Sequence, residues 1–201
     1  GTAVCLPRHI ALSKPQLQHD VESWEIVPGR AAAAIVNSVM PCVILFVSIY
    51  LVTNQSIRDH DNWTILMKVA CVIQELQLPF ILGGDWNSSP HMLAASRFLD
   101  FVSGHIVHSD LNVGTCRNPI TKVYECYDYF VVSEHIRQDV VRCYTILDAG
   151  HYPHRPVALV LTGRPRANMM TVLRTPKQFP KFIPIGPQLP PPPWGEFEWR
   201  S

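Results

Sequence analysis

The 201-residue chain is poor in charge: 16% of its residues are charged, and the formal net charge is only +1. With 47% of the residues hydrophobic, the chain can bury a substantial core and is not a disordered one. The length suits one ordinary domain. No CxxC pair occurs among the six cysteines (Cys5, Cys42, Cys71, Cys116, Cys126 and Cys143), so their spacing offers no zinc site. Most lie in apolar segments and read as buried reduced thiols, which suits a reducing, intracellular compartment. No membrane span is expected. The longest uncharged apolar run, residues 31–50, is interrupted by Pro41 and diluted by Asn37, Ser38 and Ser48, so it reads as two consecutive buried strands. No signal peptide and no internal repeat are visible. The first residues lack an initiator Met and already read as a strand, which predicts a piece of a longer protein.

Charge and proline are unevenly spread. Residues 1–162 carry 11 Lys/Arg against 14 Asp/Glu, whereas residues 163–201 carry 6 against 2. The first part is therefore not a strongly basic nucleic-acid binder by electrostatics alone. The last 39 residues hold nine of the 18 prolines, including Pro190 to Pro193. Proline removes amide donors and fixes φ, so this segment is expected to be a basic, extended tail or linker. Residues 187–194 could dock on an SH3- or WW-type partner, although a spacer to a further domain explains the same composition.

Strands are expected at 2–6, 24–27, 31–36 and 42–51, the third against the helical propensity of its four alanines. Trp63, Leu66, Met67, Ala70, Ile73 and Leu76 recur at helical spacing, with Asp59 or Asp61 as cap and Pro79 as stop. A buried strand at 80–82 and a short helix over 90–99 follow. Further strands are expected near 105–108, 113–116, 126–132, 140–146 and 156–161. This order predicts a mixed α/β layered fold.

Three segments put polar residues at the end of an apolar strand, where layered α/β proteins build their sites. In the first, Gly83-Gly84 let the backbone turn tightly, so that Asp85 and Asn87 can face one pocket to activate water, hold a cation or bind phosphate. Ordinary turn roles for the two residues explain the same string. In the second, Asp128 opens the apolar strand 129–132. An unpaired carboxylate there is costly and calls for a partner such as histidine, unless solvent reaches it. In the third, His154 precedes the strand beginning at Val157. Alone it reads as a surface histidine.

Together the three are more specific. Gly84-Asp85-Trp86-Asn87, Tyr127 to Ser133 and Tyr152 to Val157 resemble, in order, the G-D-x-N, [I/L]-D-Y-[F/I]-x-[V/L]-S and S-D-H-x-P-V motifs of the endonuclease/exonuclease/phosphatase family. Val47-Ser48-Ile49-Tyr50 resembles its strand that ends in a phosphate-contacting tyrosine. The resemblance covers roughly residues 30–162 and is nearest to the endonuclease domains of non-LTR retrotransposons. It implies a four-layer α/β/β/α sandwich of DNase I-like type, lacking part of the first sheet and so exposing strand edges. It also implies a Mg²⁺- or Mn²⁺-dependent phosphodiesterase acting on nucleic acid, DNA above all, in the nucleus. Asp85 would activate water with Asn87, both also serving as metal ligands. His154, held by Asp128, would stabilise the phosphate that Tyr50 contacts.

Two departures stand out. The family's first strands, with their Asn and Glu metal contacts, are missing ahead of Gly1, and the Gln74-Glu75 dipeptide lies too late in the chain to replace them. The aspartate of S-D-H is Pro153. The alternative to a nuclease is therefore a catalytically degenerate remnant that binds partners through its fold and Pro-rich tail.

Overall fold

The computed structural model describes residues 1–7, 10–17, 24–37, 43–118, 120–150 and 152–162. The Pro-rich segment, its 187–194 docking site and Cys42 lie outside them. Two short strands, β1 (Leu12–Ser13) and β2 (Glu25–Val27), precede β3 (Ala31–Val36) and β4 (Ile44–Tyr50). Helix α1 (His60–Leu76) leads to β5 (Phe80–Asp85), then α2 (Pro90–Ala95) and α3 (Phe98–Val102). Strands β6 (Gly104–Val107), β7 (Cys116–Arg117), β8 (Tyr124–Glu125) and β9 (Asp128–Ser133) follow. The short α4 (Glu134–Arg137) precedes β10 (Val140–Thr145) and β11 (Val157–Leu161).

Seven strands form one sheet in the order β1-β3-β4-β5-β9-β6, with β2 also on β3. All its pairings are antiparallel except β4 with β5, whose parallel connection is made by α1 as a crossover helix. Side chains alternate across a strand, so each strand of this sheet serves two cores. Leu45, Val47, Leu82, Tyr129 and Val131 face the helices, where they meet Leu66, Val69, Ile73, Leu93 and Phe98. Ile44, Ile81 and Val132 face the other way, with Phe46 and Phe130, against Leu159 and Leu161 of β11. Helices, large sheet and the two-stranded β10–β11 sheet are therefore stacked in layers, as the mixed α/β expectation requires. Among the described residues the β10–β11 layer has two strands, and Val141 and Tyr144 of β10 are exposed.

Most expected elements are observed, and the differences have local causes. Residues 2–6 form no strand, because β1 and β2 occupy the outer edge of β3. The four alanines of β3 do form a strand, and all are buried: small side chains let both faces of the strand be covered, which overrides helix propensity. The buried face of α1 centres on Ile65, Leu66, Val69, Val72 and Ile73, leaving Trp63 and Met67 at its margin. Asp59 sits at the N-cap, but its carboxylate accepts from the Ser56 amide rather than capping the helix. The helix stops before Pro79, at Gln77 in the left-handed region. The expected helix over 90–99 is two helices, parted at Arg97, whose φ is 65°. Among the described residues no helix is long and apolar enough to cross a membrane.

Candidate functional site

The register of three neighbouring strands builds the site. Tyr50 is the partner of Asp85 across the parallel pair, and Asp85 is the partner of Asp128 across the antiparallel one. Strand alternation puts all three on the sheet face that looks toward β10–β11, at the C-terminal ends of β4 and β5. The expected turn at Gly83-Gly84 is not there, since β5 runs on through Asp85. Gly84 is needed for close approach instead: a Cβ at this position would lie 1.9 Å from the Ile49 carbonyl oxygen, and its φ is 152°. The turn comes at Asn87, with φ 46°. There the Asn87 amide donates to Asp85 Oδ1 at 3.0 Å, and its Nδ2 donates to the Leu51 carbonyl at 2.8 Å. Trp86, between them, is fully buried, stacks on Tyr129 and donates through Nε1 to the Tyr129 carbonyl.

His154 reaches this row from the opposite side. Its segment is clamped to residues 115–117 by two backbone bonds, from the Arg117 amide to the Pro153 carbonyl and from the Arg155 amide to the Thr115 carbonyl. His154 Nδ1 lies 2.9 Å from Asp128 Oδ2, and Nε2 lies 3.7 Å from Asp85 Oδ2. Ligand atoms of Asp85, Asp128 and His154 all fall within 4.8 Å of one another. Burial pushes the Asp85 carboxyl above its ordinary value, with the neighbouring Asp128 adding to the shift and the Asn87 amide opposing it. The hydrogen bond to Asp128 holds the His154 imidazolium above the ordinary histidine value, against the effect of burial. A carboxylate with a raised pKa therefore stands beside a histidine whose charged form is favoured by its bond to Asp128.

Comparison with solved structures identifies the architecture. The endonuclease domain of TRAS1, a telomere-specific non-LTR retrotransposon, superposes with a TM-score of 0.56 at 13% identity, over 77% of this chain and 80% of that one. The AP endonuclease LMAP from Leishmania major gives 0.51 at 12% identity, over 65% of this chain and 54% of that one. Beta toxin from Staphylococcus aureus gives 0.51 at 11% identity, over 66% and 57%. The chain has a DNase I-like fold. No protein-family model and no curated protein sequence matches it. Against the last two structures this DNase I-like chain spans little more than half of their length.

Within the DNase I-like fold, the five residues singled out from sequence sit together: Tyr50, Asp85 and Asp128 in one row, Asn87 bonded to Asp85, and His154 above. Glu75 does not join them. It is exposed near the end of α1, which leads to the opposite end of β5. Pro153 is exposed beside His154, and among the described residues no further carboxylate enters the cluster.

Three neighbours were not foreseen. The Arg30 guanidinium stands 4.9 Å from the centre of the Tyr50 ring. Thr115, fully buried, accepts the amides of Tyr127 and Asp128 at its Oγ1, at 3.0 and 2.9 Å. Cys116 Sγ lies 3.5 Å from His154 Nε2, and burial with the nearby Asp128 and Asp85 pushes its thiol up to about 11. None belongs to a motif, and only their pairing in space reveals them.

Proposed function

We propose that this chain is a divalent-metal-dependent phosphodiester hydrolase acting on nucleic acid, most specifically a DNA endonuclease of retroelement type. The observation that carries the reading is the row Tyr50–Asp85–Asp128 with His154 over it, bonded to Asp128 and facing Asp85. The donor set suits a hard cation. The Asp85 carboxylate offers oxygen, and donation from Asn87 Nδ2 to Leu51 leaves the Asn87 Oδ1 as the atom for a metal. Bound there, Mg²⁺ or Mn²⁺ would supply charge neutralisation at the phosphate.

The chain's own groups do the rest. Asp85, its basicity raised by burial, accepts the proton of the attacking water, and the Asn87 amide fixes the carboxylate by its bond to Oδ1. Asp128 accepts from His154 Nδ1–H and so orients Nε2 toward the place where a phosphate oxygen gains charge. Tyr50 closes the row on the other side, and Arg30 over its ring adds a cation for the flanking phosphate.

The test is nicking of supercoiled plasmid and of abasic duplex with Mg²⁺ or Mn²⁺, beside an EDTA control and His154→Ala. The expected result is divalent-dependent nicking that falls by about 10²–10⁴-fold in the variant, the range for loss of one acid–base group. A second reading rests on Pro153, which brings no carboxylate where the motif has aspartate: a degenerate relative that keeps the fold for binding. Background-level nicking by a chain shown folded by circular dichroism would establish that reading instead.

A further inference from the structure

Trp63 and Met67 are large and apolar, yet they lie at the margin of the buried face of α1. The strand opposite them explains why. β3 presents Ala31 and Ala33 to the helix side, where β4 and β5 present Leu45, Val47 and Leu82. Methyl groups in place of longer side chains keep helix and sheet from closing on each other there. The result is a half-open cleft of about 460 Å³ between α1 and β2, with Ala33 in it and Pro15 and Leu17 at its side. This cleft belongs to the helix side of the sheet, whereas the row Tyr50–Asp85–Asp128 looks toward β10–β11.

The lining has the character of a small-ligand site. Such sites occupy about 300–1,000 Å³ and are mostly apolar with a few polar groups, and this cleft has both properties. Trp24 and Trp63 bring two aromatic rings to it, and Trp24 is 40% exposed, so covering it removes apolar surface from water. A protein partner needs more. A stable interface takes about 20–30 residues a side, whereas twelve described residues line this cleft.

Charge selects the polar end of the ligand. Lys68 lines the cleft, is exposed, and has no ionic or hydrogen-bonded partner among the described residues. Glu25 lines it too, but its Oε1 accepts the Gly29 amide at 3.1 Å, toward the turn at Pro28-Gly29. Lys14, 5.9 Å from the centre of the Trp24 ring, adds a second cation beside the cleft.

We propose that the cleft between α1 and β2 binds a small aromatic anion, its rings packed on Trp24 and Trp63 and its carboxylate or sulfonate paired with Lys68. Indole faces favour flat aromatic ligands through stacking and area burial together. A lysine at an otherwise apolar mouth then favours an anion over a neutral ligand of the same shape. This site stands apart from the hydrolase reading and needs none of its residues.

The test uses anilinonaphthalene sulfonate and its uncharged counterpart phenylnaphthylamine on the full chain, followed by probe fluorescence and by energy transfer from tryptophan. The anionic probe is expected to saturate at one per chain. Lys68→Gln should weaken it by about 2–5-fold, the range for one exposed ion pair, and leave the neutral probe unchanged. Thr64→Tyr adds bulk at an exposed lining position and should weaken both probes by about tenfold or more. Bound probe should also slow alkylation of Cys71, which lines the cleft, and leave Cys5, exposed and outside it, unchanged. Near-ultraviolet circular dichroism of each variant should match the parent, which separates lost binding from lost packing. Non-saturating binding, an anionic probe indifferent to Lys68→Gln, or equal alkylation of Cys71 with and without probe would overturn the assignment. So would a dimer in sedimentation that dissociates as the probe binds, because the cleft would then belong to a second copy of the chain.

Discussion

Thr115→Val tests whether one buried hydroxyl sets the position of Asp128, and through it the state of His154. Valine keeps the shape of threonine, so no cavity opens, and what disappears is the oxygen. That oxygen accepts the amides of Tyr127 and Asp128 and donates to the Glu125 carbonyl, while the backbone of Thr115 also takes the Arg155 amide. A buried amide stripped of its acceptor costs about 1–3 kcal/mol. Two amides at the lower half of that range give a loss of about 2–4 kcal/mol, because both residues are only half-buried and water recovers part of the bond. For a chain of this length that is a fall in Tm of about 4–16 °C. The second readout separates positioning from stability. With the Asp128 amide released, the 2.9 Å bond to His154 Nδ1 loosens, and the His154 pKa drops back toward its ordinary value of 6.5. Urea unfolding gives the first quantity and NMR titration of the His154 ring the second. Thr115→Ser should restore both. The reasoning fails if Thr115→Val unfolds within about 0.5 kcal/mol of the parent and His154 titrates unchanged.

Two further substitutions test the charges in the site. Asp128→Asn removes the largest cause of the raised His154 pKa, so the ring should titrate closer to 6.5 by NMR. Linkage fixes the sign for stability. A histidine whose folded pKa is raised contributes stability that is fully present below its unfolded value of about 6.5 and is lost as pH rises through the folded pKa. The parent should therefore lose stability on that upward interval, and Asp128→Asn should be flatter there in urea midpoints measured across it. Asp85→Asn has the opposite logic, because the folded pKa of Asp85 is raised by burial and by Asp128. Its ionised form weakens the fold at every pH above that raised value, so the neutral amide should give a higher Tm at pH 7 while divalent-dependent nicking disappears. An Asp85→Asn chain that melts lower than the parent would show that the carboxylate is held by partners that outweigh its burial.

The legible part of this molecule is what strand and helix periodicity record. β3, β4, α1, β5 and β9 follow from continuous apolar runs, helical spacing and turn residues, and the three chemical segments stand at strand ends where a pattern can be seen. Their convergence rests on register, which no single segment carries. Tyr50, Asp85 and Asp128 line up only because β4 is parallel to β5 and β9 is antiparallel to it, with offsets set by the α1 crossover and the long path through β6 to β8. Gly84 shows how a residue can be placed correctly for another reason. Its glycine looked like a turn signal, yet it is required by the Ile49 carbonyl of the neighbouring strand.

The pairing of Cys116 with His154 lies further from sequence. The two side chains come from segments 38 residues apart, joined by a single β-bridge and two flanking backbone bonds. The cysteine then looks like any other thiol in a half-apolar stretch, and the histidine like one of nine. What distinguishes them is the carboxylate pair around Nε2 and Nδ1. Burial, with Asp128 and Asp85 beside it, keeps the Cys116 thiol neutral, while Asp128 holds His154 through Nδ1 and Asp85 faces its Nε2. On the proposed reading those two carboxylates also orient and charge His154 for phosphate chemistry, so one electrostatic arrangement, invisible in any single segment, sets the state of both the histidine and the thiol.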